Sequence, residues 1–494
     1  MQQPDKLSKA DQGNTQDVIQ APVISLPKGG GAMHGIGEKF AANPVTGTGS
    51  MTIPIATSPG RSGFGPQLSL SYDSGSGNGP FGLGWTLSLP AISRNTAKGL
   101  PRYHDMGASD TFILSGAEDL VEVLVEQQGK WAPEAVPPGE LAGQAHTIQR
   151  YRPRIEGLFA RIERWTNTVT RHTHWCAISK DNITTLYGAT AESRIADPLD
   201  STRIFSWLVC ESYDDKGNAI VYEYAKENSH GIDPSLIHET HRTATTRGAN
   251  RYPKRIKYGN RVSRLRPEFS GTEWLFEVVF DYGENHYQET GPSQISASAS
   301  AQGGTWTARP DPFSTCRAGF DVRTYRRCQR VMMFHRFTEL GSGPTLVRST
   351  AFHYDDFAYS PAATVQTEMA HQGSTGIASV IASVTQSGYV RNEPQVATIR
   401  DGASYLSYVR QSLPPVQCEY SRATIQDDMR EVDGLSIDNL PQGIDTTAYR
   451  WADLDGEGLS GILTQQGGAW FYKRNLSALP VSDTHGKPQR RARF

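Results

Sequence analysis

The 494-residue chain predicts an all-β protein, and three features of its sequence support that fold class. Short segments alternate apolar and polar residues, as at 50–55, 67–72 and 85–89, which is typical of half-buried strands. Gly, Pro, Asn and Ser bound these segments and predict tight turns. The chain also carries 9 Trp and 20 Tyr, residues that favour strand faces.

Glycine is concentrated near the N-terminus. Residues 26–90 hold fifteen of the 48 glycines, placed between the short alternating segments rather than in one run. Glycine is needed where the backbone takes a positive φ or passes close to another strand. This stretch therefore predicts a small meander that closes or caps a sheet.

The composition excludes several classes of protein. Lys and Arg number 49 against 51 Asp and Glu, so no basic surface for nucleic acid or for an anionic membrane is expected from the overall charge. No run approaches the ~20 apolar residues of a membrane-spanning helix. Because the first residues lack an apolar signal core, we expect synthesis in a reducing cytoplasm, and export would have to use a route that this sequence does not encode.

The cysteine pattern favours reduced thiols. The number is odd and the spacing is wide, which predicts no disulfide framework. The five are Cys176, Cys210, Cys316, Cys328 and Cys418.

A hairpin is predicted where the aromatic-rich segments 204–213 and 219–224 flank a Lys-Gly-Asn turn. The whole hairpin resembles one unit of the Rhs/YD repeats, in which Tyr-Asp, a glycine turn and a Tyr-x-Tyr strand recur. Such repeats coil a long sheet in which each strand pairs with the next. Weaker echoes lie at 256–260, 279–283 and 352–355.

Longer motifs point to one family. Segments 27–50, 58–75 and 77–85 resemble the opening of the SpvB-type virulence proteins and of the B component of insecticidal toxin complexes. The block 309–337 continues the resemblance, with an arginine-rich strand before a Val-Met-Met-Phe-His strand. The resemblance implies a large Rhs-like curled antiparallel sheet that forms part of a hollow shell.

The resemblance also implies a function. A non-enzymatic shell component would enclose or carry a toxic effector and dock to a pore-forming A component, with a C component as second partner. The alternative is a carrier domain for an ADP-ribosyltransferase located on another chain or in a missing C-terminal region. A third class, a carbohydrate- or surface-binding β module, would use exposed Trp and Tyr side chains.

Four regions are expected along the chain. Segments 449–463 and 468–474 resemble one FG-GAP-like blade of a β-propeller, and a propeller needs several blades to close. We therefore expect a truncated or split family member. The regions are a disordered tail (1–22), an SpvB-like β domain (23–430), an incomplete blade (431–477) and a basic polar tail (478–494).

The arginine-rich block could be mistaken for an anion site. Its alternation predicts one strand with Val322, Thr324, Arg326 and Cys328 on one face. The opposite face would carry Arg323, Tyr325 and Arg327. We expect these arginines to stack on tyrosines or pair with carboxylates across the sheet.

Other motifs with possible chemistry are weak. Residues 77–82 fit G-x-G-x-x-G, but a strand follows where a dinucleotide loop must open a helix. His172, His174 and Cys176 would line one strand face without a fourth zinc ligand. His238 and His241 lack the spacing of a zinc-binding helix. No catalytic, cofactor or metal residue is therefore predicted.

Calcium binding by one loop is retained as a hypothesis. Asp453, Asp455 and Glu457 offer oxygen ligands at alternate positions, which suits Ca²⁺. The FG-GAP pattern usually supplies a later Asp, and Gly461 stands near that place. Enzymatic activity is not expected, since the ADP-ribosyltransferases of this family need a Glu-x-Glu pair that the sequence lacks.

Overall fold

The computed structural model is built almost entirely of antiparallel strands, and it divides into one unit at 1–419 and a second at 420–494. Within the described residues no helix is long and apolar enough to cross a membrane. The described residues are 38–43, 48–105, 110–115, 119–141, 143–290, 295–341, 343–358, 377–392, 398–400, 402–420, 432, 434–438, 449–454, 460–476, 481–482, 488–489 and 493–494.

The first half of the chain contributes eighteen strands. They are β1 (Lys39–Asn43), β2 (Thr48–Ile55), β3 (Leu68–Asp73), β4 (Asn78–Gly79), β5 (Gly82–Leu83), β6 (Trp85–Leu87), β7 (Ala91–Arg94), β8 (Phe112–Leu114), β9 (Asp119–Glu122), β10 (Leu124–Gln127), β11 (Lys130–Pro133), β12 (Gly139–Leu141), β13 (Gln144–Pro153), β14 (Arg161–Asn167), β15 (Thr173–Ile178), β16 (Thr184–Tyr187), β17 (Arg194–Asp197) and β18 (Asp200–Tyr213).

The rest of the first unit adds thirteen strands and a one-turn helix. In order they are β19 (Ala219–Lys226), α1 (Ala244–Arg247), β20 (Arg251–Asn260), β21 (Trp274–Asp281), β22 (Tyr287–Thr290), β23 (Ser296–Ala299), β24 (Phe313–Thr315), β25 (Val322–Thr324), β26 (Arg330–His335), β27 (Thr345–Ala358), β28 (Ile377–Arg391), β29 (Thr398–Arg400), β30 (Ala403–Ser412) and β31 (Val416–Gln417). Short 3-10 turns lie at Arg61–Gly63 and Thr338–Leu340, and a third, at Gly434–Ser436, belongs to the second unit.

The glycine-rich meander folds as predicted. β1, β2, β3 and β6 form a four-stranded sheet, and the alternation of β2 and β3 buries Ile53, Ile55, Leu68 and Leu70. These side chains pack in one core with residues of β20, β21 and β26 to β28. The meander therefore covers one face of the large sheet, which leaves fewer apolar side chains in water.

The large sheet follows the chain as the YD echoes predict. β18, β19, β20 and β21 pair successively, and β26, β27 and β28 continue from β21. The predicted hairpin is β18–β19, and its turn contains Gly217 at φ 78°. β28, β30 and β23 continue the curl, and a second core lies there that includes Met332, Phe334 and Tyr408.

Eight of the strands close into a barrel. Starting at β7, each strand pairs with the next through β8, β9, β13, β14, β15, β16 and β18, and β18 pairs back with β7. An eight-stranded barrel has an interior just wide enough for side chains to fill. Its core is aromatic, with Phe112, Tyr151, Trp175, Tyr187 and Trp207 in contact with smaller apolar residues.

Arg94, at the end of β7, closes one end of this barrel. Its side chain is fully buried, and Nη1 lies 2.7 Å from Asp105 Oδ1 and 2.6 Å from Asp110 Oδ2. The guanidinium also stacks on Tyr103, 4.6 Å from the ring centre. Two carboxylates and a ring face therefore compensate a cation that would otherwise be costly to bury.

The second unit contains a three-stranded antiparallel sheet of β32 (Tyr449–Ala452), β33 (Gly461–Gln466) and β34 (Ala469–Lys473). β35 (Val481–Ser482) pairs with β36 (Pro488–Gln489). Trp451 and Trp470 are more than half exposed. The predicted tail 1–22 and most of the predicted tail 478–494 lie outside the described residues.

Substitution of Trp207 tests the packing of the barrel core. Trp207 is fully buried, and its Nε1 donates to Thr173 O at 2.8 Å. We expect Trp207→Ala to lower the free energy of unfolding by ~3–5 kcal/mol, because it leaves a cavity and an unpaired carbonyl. Trp131→Ala is the matched control, since Trp131 is 69% exposed, and it should change stability by less than ~0.5 kcal/mol. Equal effects in urea unfolding would contradict the barrel.

Candidate functional site

The glycine motif at 77–82 forms a hairpin. β4 pairs with β5, and strand β6 follows directly, so no helix N-terminus faces this turn. Gly84 has φ 81°, and a Cβ there would clash with the ring of Tyr72. The glycines therefore serve close packing of the meander, as the sequence predicts, and the loop lacks the geometry that holds a pyrophosphate.

The three predicted strand residues His172, His174 and Cys176 do not converge. β15 begins at Thr173, so His172 lies before the strand. His174 is buried between His146 and Trp165, with ring centres at 5.2 and 5.7 Å. Burial, His146 and Arg194 lower the pKa of His174 to about 3, so its imidazole is neutral at physiological pH.

The arginines of the arginine-rich block pair with carboxylates and aromatic rings, as predicted. Arg326 is fully buried, its Nε donates to Glu227 Oε2 at 2.8 Å, and its guanidinium lies 4.6 Å from the Trp306 ring centre. Five more arginines of the block meet a carboxylate or a ring. These contacts are Arg309 with Asp311, Arg323 with Glu239, Arg327 over Tyr354, Arg330 over Tyr287 and Arg336 with Glu277.

The strand predicted through this block is too long. β25 ends at Thr324, so the predicted alternation of two faces does not continue through Arg326 and Cys328. The cause lies in the backbone, since Tyr325 N donates to the Tyr252 hydroxyl at 2.9 Å. Cys328 N donates to Pro80 O at 2.8 Å. These bonds take the chain out of the ladder and turn Arg326 towards Glu227.

The carboxylate of Glu239 contacts several arginines. Glu239 follows His238, one of the two histidines of the motif that lacks zinc-binding spacing. Its carboxylate contacts Arg247 at 2.9 Å and Arg323 at 2.8 Å, and it accepts from the Tyr325 hydroxyl at 2.6 Å. Burial raises the pKa of Glu239, but these partners outweigh it and the net shift is downward. The group is a neutralised structural cluster, and His238 lies at its edge, 4.0 Å from the carboxylate.

A cluster that the sequence did not reveal lies at the end of β21. Within the described residues, only Asp281, Glu284 and His286 bring three potential metal-ligand atoms within 4.8 Å of one another. The ammonium of Lys254 already lies among these groups. Its Nζ donates to Phe280 O at 2.8 Å, contacts His286 Nε2 at 2.9 Å, and bonds to Glu284.

The contacts of His286 hold this cluster together. Its Nδ1 lies 3.0 Å from Ser300 O, and its Nε2 lies 2.9 Å from the Lys254 ammonium and 3.6 Å from Glu284 Oε2. Burial lowers the pKa of Lys254, and the Glu284 carboxylate opposes that shift. Burial acts to raise the pKa of Glu284, but His286 and Lys254 bring it below its usual range. A lysine ammonium thus takes the place that a metal ion would occupy.

An open cavity of about 340 Å³ lies where the β17–β18 turn meets the α1 region. Its charged walls are already paired, with Arg242 at 2.6 Å from Asp321 and Asp197 at 2.8 Å from Arg203. It therefore offers no free acid–base pair. The lining residues are Asp197, Pro198, Leu199, His241, Arg242, Thr246, Gly319, Phe320 and Asp321.

The calcium hypothesis stays a prediction. Asp453 follows β32, whereas Asp455 and Glu457 lie outside the described residues. Gly461 begins β33, and a Cβ there would meet Lys473 O. The glycine near the place of the expected later Asp is thus required by strand packing.

Comparison with known proteins assigns the fold to a family. The family model described as SpvB, Salmonella virulence plasmid 65kDa B protein, matches residues 43–337. The chain belongs to this family. The matched region includes the strands of the barrel, the arginine-rich block and the Lys254 cluster of this SpvB family member.

Curated relatives agree with this assignment. The chain is 37% identical over 339 residues to a mono(ADP-ribosyl)transferase SpvB of Salmonella choleraesuis, and 36% identical over 338 residues to that of Salmonella enteritidis. Each match covers 67% of this chain and 54% of the relative. The SpvB family member described here thus spans about half the length of the relatives that it matches.

Two solved structures are similar to this chain, and one of them matches nearly its whole length. The N-terminal domain of effector protein SpvB from Salmonella typhimurium is 36% identical, with a TM-score of 0.55, and the match covers 62% of this chain and 93% of that domain. The TcdB2–TccC3 crystal structure is 30% identical with a TM-score of 0.68. That match covers 95% of this SpvB family member and 21% of the TcdB2–TccC3 chain.

Glu284→Gln tests the buried cluster and its pH dependence. At neutral pH we expect a loss of ~3–5 kcal/mol in the free energy of unfolding, because Lys254 stays buried without its carboxylate. The folded pKa of Glu284 lies below its ordinary 4.5, so its contribution is present above pH 4.5 and is lost as the pH falls through the folded pKa. The difference between wild type and variant should therefore shrink in acid.

Urea unfolding at several pH values measures this difference. The exposed Glu140→Gln is the matched control and should change stability by less than ~0.5 kcal/mol. A gap between wild type and Glu284→Gln that is constant from neutral to acid pH would contradict the assigned ion pair. So would an increase in wild-type stability on addition of Mn²⁺ or Zn²⁺.

Proposed function

We propose that this chain is a non-enzymatic wall component of a toxin complex that encloses or carries a toxic effector. The observation that supports the proposal most strongly is the match of 95% of the chain to the TcdB2–TccC3 structure at 30% identity. Another neighbour is a Tc holotoxin pore from Photorhabdus luminescens, at 30% identity and a TM-score of 0.65. The partners would be a pore-forming A component and a C component.

The physical properties of the first unit suit a wall. Paired strand edges cannot recruit stray strands, and the barrel closure leaves its eight members paired on both sides. The buried cations Arg94, Arg326 and Lys254 each meet a carboxylate. A wall made of paired strands and compensated buried charges needs no reactive group to enclose a polypeptide.

We propose the same four regions that the sequence predicts, with 23–430 as the wall and 431–477 as an incomplete propeller blade. In this assignment the sheet β32–β33–β34 is the blade. Its exposed Trp451 and Trp470 would contribute to docking on the A component. The protein would be made in the cytoplasm and act outside the cell.

The second candidate is a carrier domain for an ADP-ribosyltransferase effector. The names of the curated relatives favour it, since they are mono(ADP-ribosyl)transferases that extend well beyond the matched half. The two candidates differ in their partners. A shell component binds A and C components, whereas a carrier binds the effector alone.

Complex formation tests the shell. The purified chain, mixed with cognate A and C components, should elute with them as one species in size-exclusion chromatography. Trp451→Ser/Trp470→Ser should weaken binding to the A component at least about tenfold, because exposed Trp residues are frequent hot spots. Trp131→Ser, on the first unit, is the control and should bind normally.

Three results would count against the shell. These are elution of the chain alone from both components, full affinity in the double variant, and equal loss in the Trp131 control. Stable binding to an ADP-ribosyltransferase effector without either component would instead favour the carrier.

A transfer assay tests the absence of enzymatic activity. Incubation of the chain with labelled NAD and actin should transfer no label, since the sequence lacks the Glu-x-Glu pair that this chemistry requires in the family. An active SpvB enzyme serves as the positive control. Label on actin above the no-enzyme background would overturn the non-enzymatic assignment.

A further inference from the structure

The connection between β13 and β14 presents three large apolar side chains to solvent. Ile155 is 67% exposed, Leu158 is 41% exposed and Phe159 is 71% exposed. They lie within five consecutive residues at the opposite end of β14 from the turn that leads to β15. We call residues 155–159 the apolar tip.

The turn holds these side chains outward. Glu156 Oε1 accepts from Leu158 N at 3.1 Å and from Phe159 N at 2.7 Å. Phe159 has φ 49°, a conformation that is uncommon for a bulky side chain. A strained backbone persists only where its surroundings fix it, here through the Glu156 carboxylate. The exposure of Phe159 is therefore built into the turn.

Three exposed arginines lie within three residues of the apolar tip in the sequence. Tyr151 and Ile162 are buried in the barrel core, so the adjacent Arg152 and Arg161 point to the outside of the barrel. Arg154 and Arg161 are more than half exposed and make only loose contacts, 3.4 Å to Asp119 and 3.3 Å to Glu163. Within the described residues Arg152 makes no ion pair.

We propose that the apolar tip inserts into the interfacial region of an anionic lipid bilayer, with Arg152, Arg154 and Arg161 at the level of the phosphates. Apolar and aromatic side chains beside basic ones are the pattern of interfacial membrane binding. A protein interface usually buries ~800 Å² on each partner and has few charges at its centre. A narrow turn that carries exposed apolar side chains next to arginines fits the lipid surface better. This inference does not depend on the proposed shell function.

Cosedimentation with vesicles tests the inference on the full chain. Wild type should sediment with vesicles of phosphatidylcholine and phosphatidylserine, and much less with phosphatidylcholine alone. Leu158→Ser/Phe159→Asn should reduce the partition coefficient at least about tenfold, and Asn tolerates the left-handed backbone. Arg152→Ala should reduce it about fivefold, as the loss of one basic residue near an anionic surface implies.

Val169→Ser is the matched control. Val169 is 86% exposed in the turn at the other end of β14, so its loss should leave sedimentation unchanged. Urea unfolding checks that all variants fold like wild type. The proposal is overturned if wild type stays in solution, if the tip variants sediment as wild type does, or if the control loses as much as they do. Tip-dependent capture by an A or C component without sedimentation on vesicles would also overturn it.

Discussion

β18 is hydrogen-bonded along both edges to strands of two different assemblies. One edge meets β16 and β17, and the other meets β7 and β19. The strand is therefore a member of the closed barrel and the first strand of the long curled sheet. An unpaired edge exposes rows of N–H and C=O groups that attract other strands. Because β18 pairs with strands of both the barrel and the curled sheet, the two assemblies join without an unpaired strand edge between them.

Buried charge is the second constraint on the first unit. Several basic side chains of this unit are buried or nearly so. Arg94 at the barrel end, Arg326 beside Trp306 and Lys254 of β20 each lie against a carboxylate. These pairs are costly to break, because the remaining charge would be left without water. They restrict how the loops between strands can pack, and they occupy positions that a substrate or a metal would need.

The sequence predicts the parts of this fold that depend on near neighbours. Alternation and turn residues are sufficient for β2, β3 and the β18–β19 hairpin. The barrel closure is not predictable in this way, since Ser206 and Ile92 meet across 114 residues and β7 has only four residues. The Lys254 cluster was missed for a similar reason, because Lys254 comes from β20 whereas Asp281, Glu284 and His286 lie at and after the end of β21. Only the Asp-x-x-Glu-x-His spacing at 281–286 hinted at it. The break after Thr324 depends on Tyr252, which no local pattern in the arginine-rich block reveals.

Hydrogen exchange along β7 and β18 tests the closure most directly. If the barrel is closed through these strands, the amides of Ala91–Arg94 and of residues 206–208 should exchange only when β14 and β15 also open. Their exchange would then follow the global free energy of unfolding. Exchange of β7 at much lower free energy, while β14 and β15 stay protected, would contradict the account. It would mean that the barrel is an open sheet with a loosely attached edge.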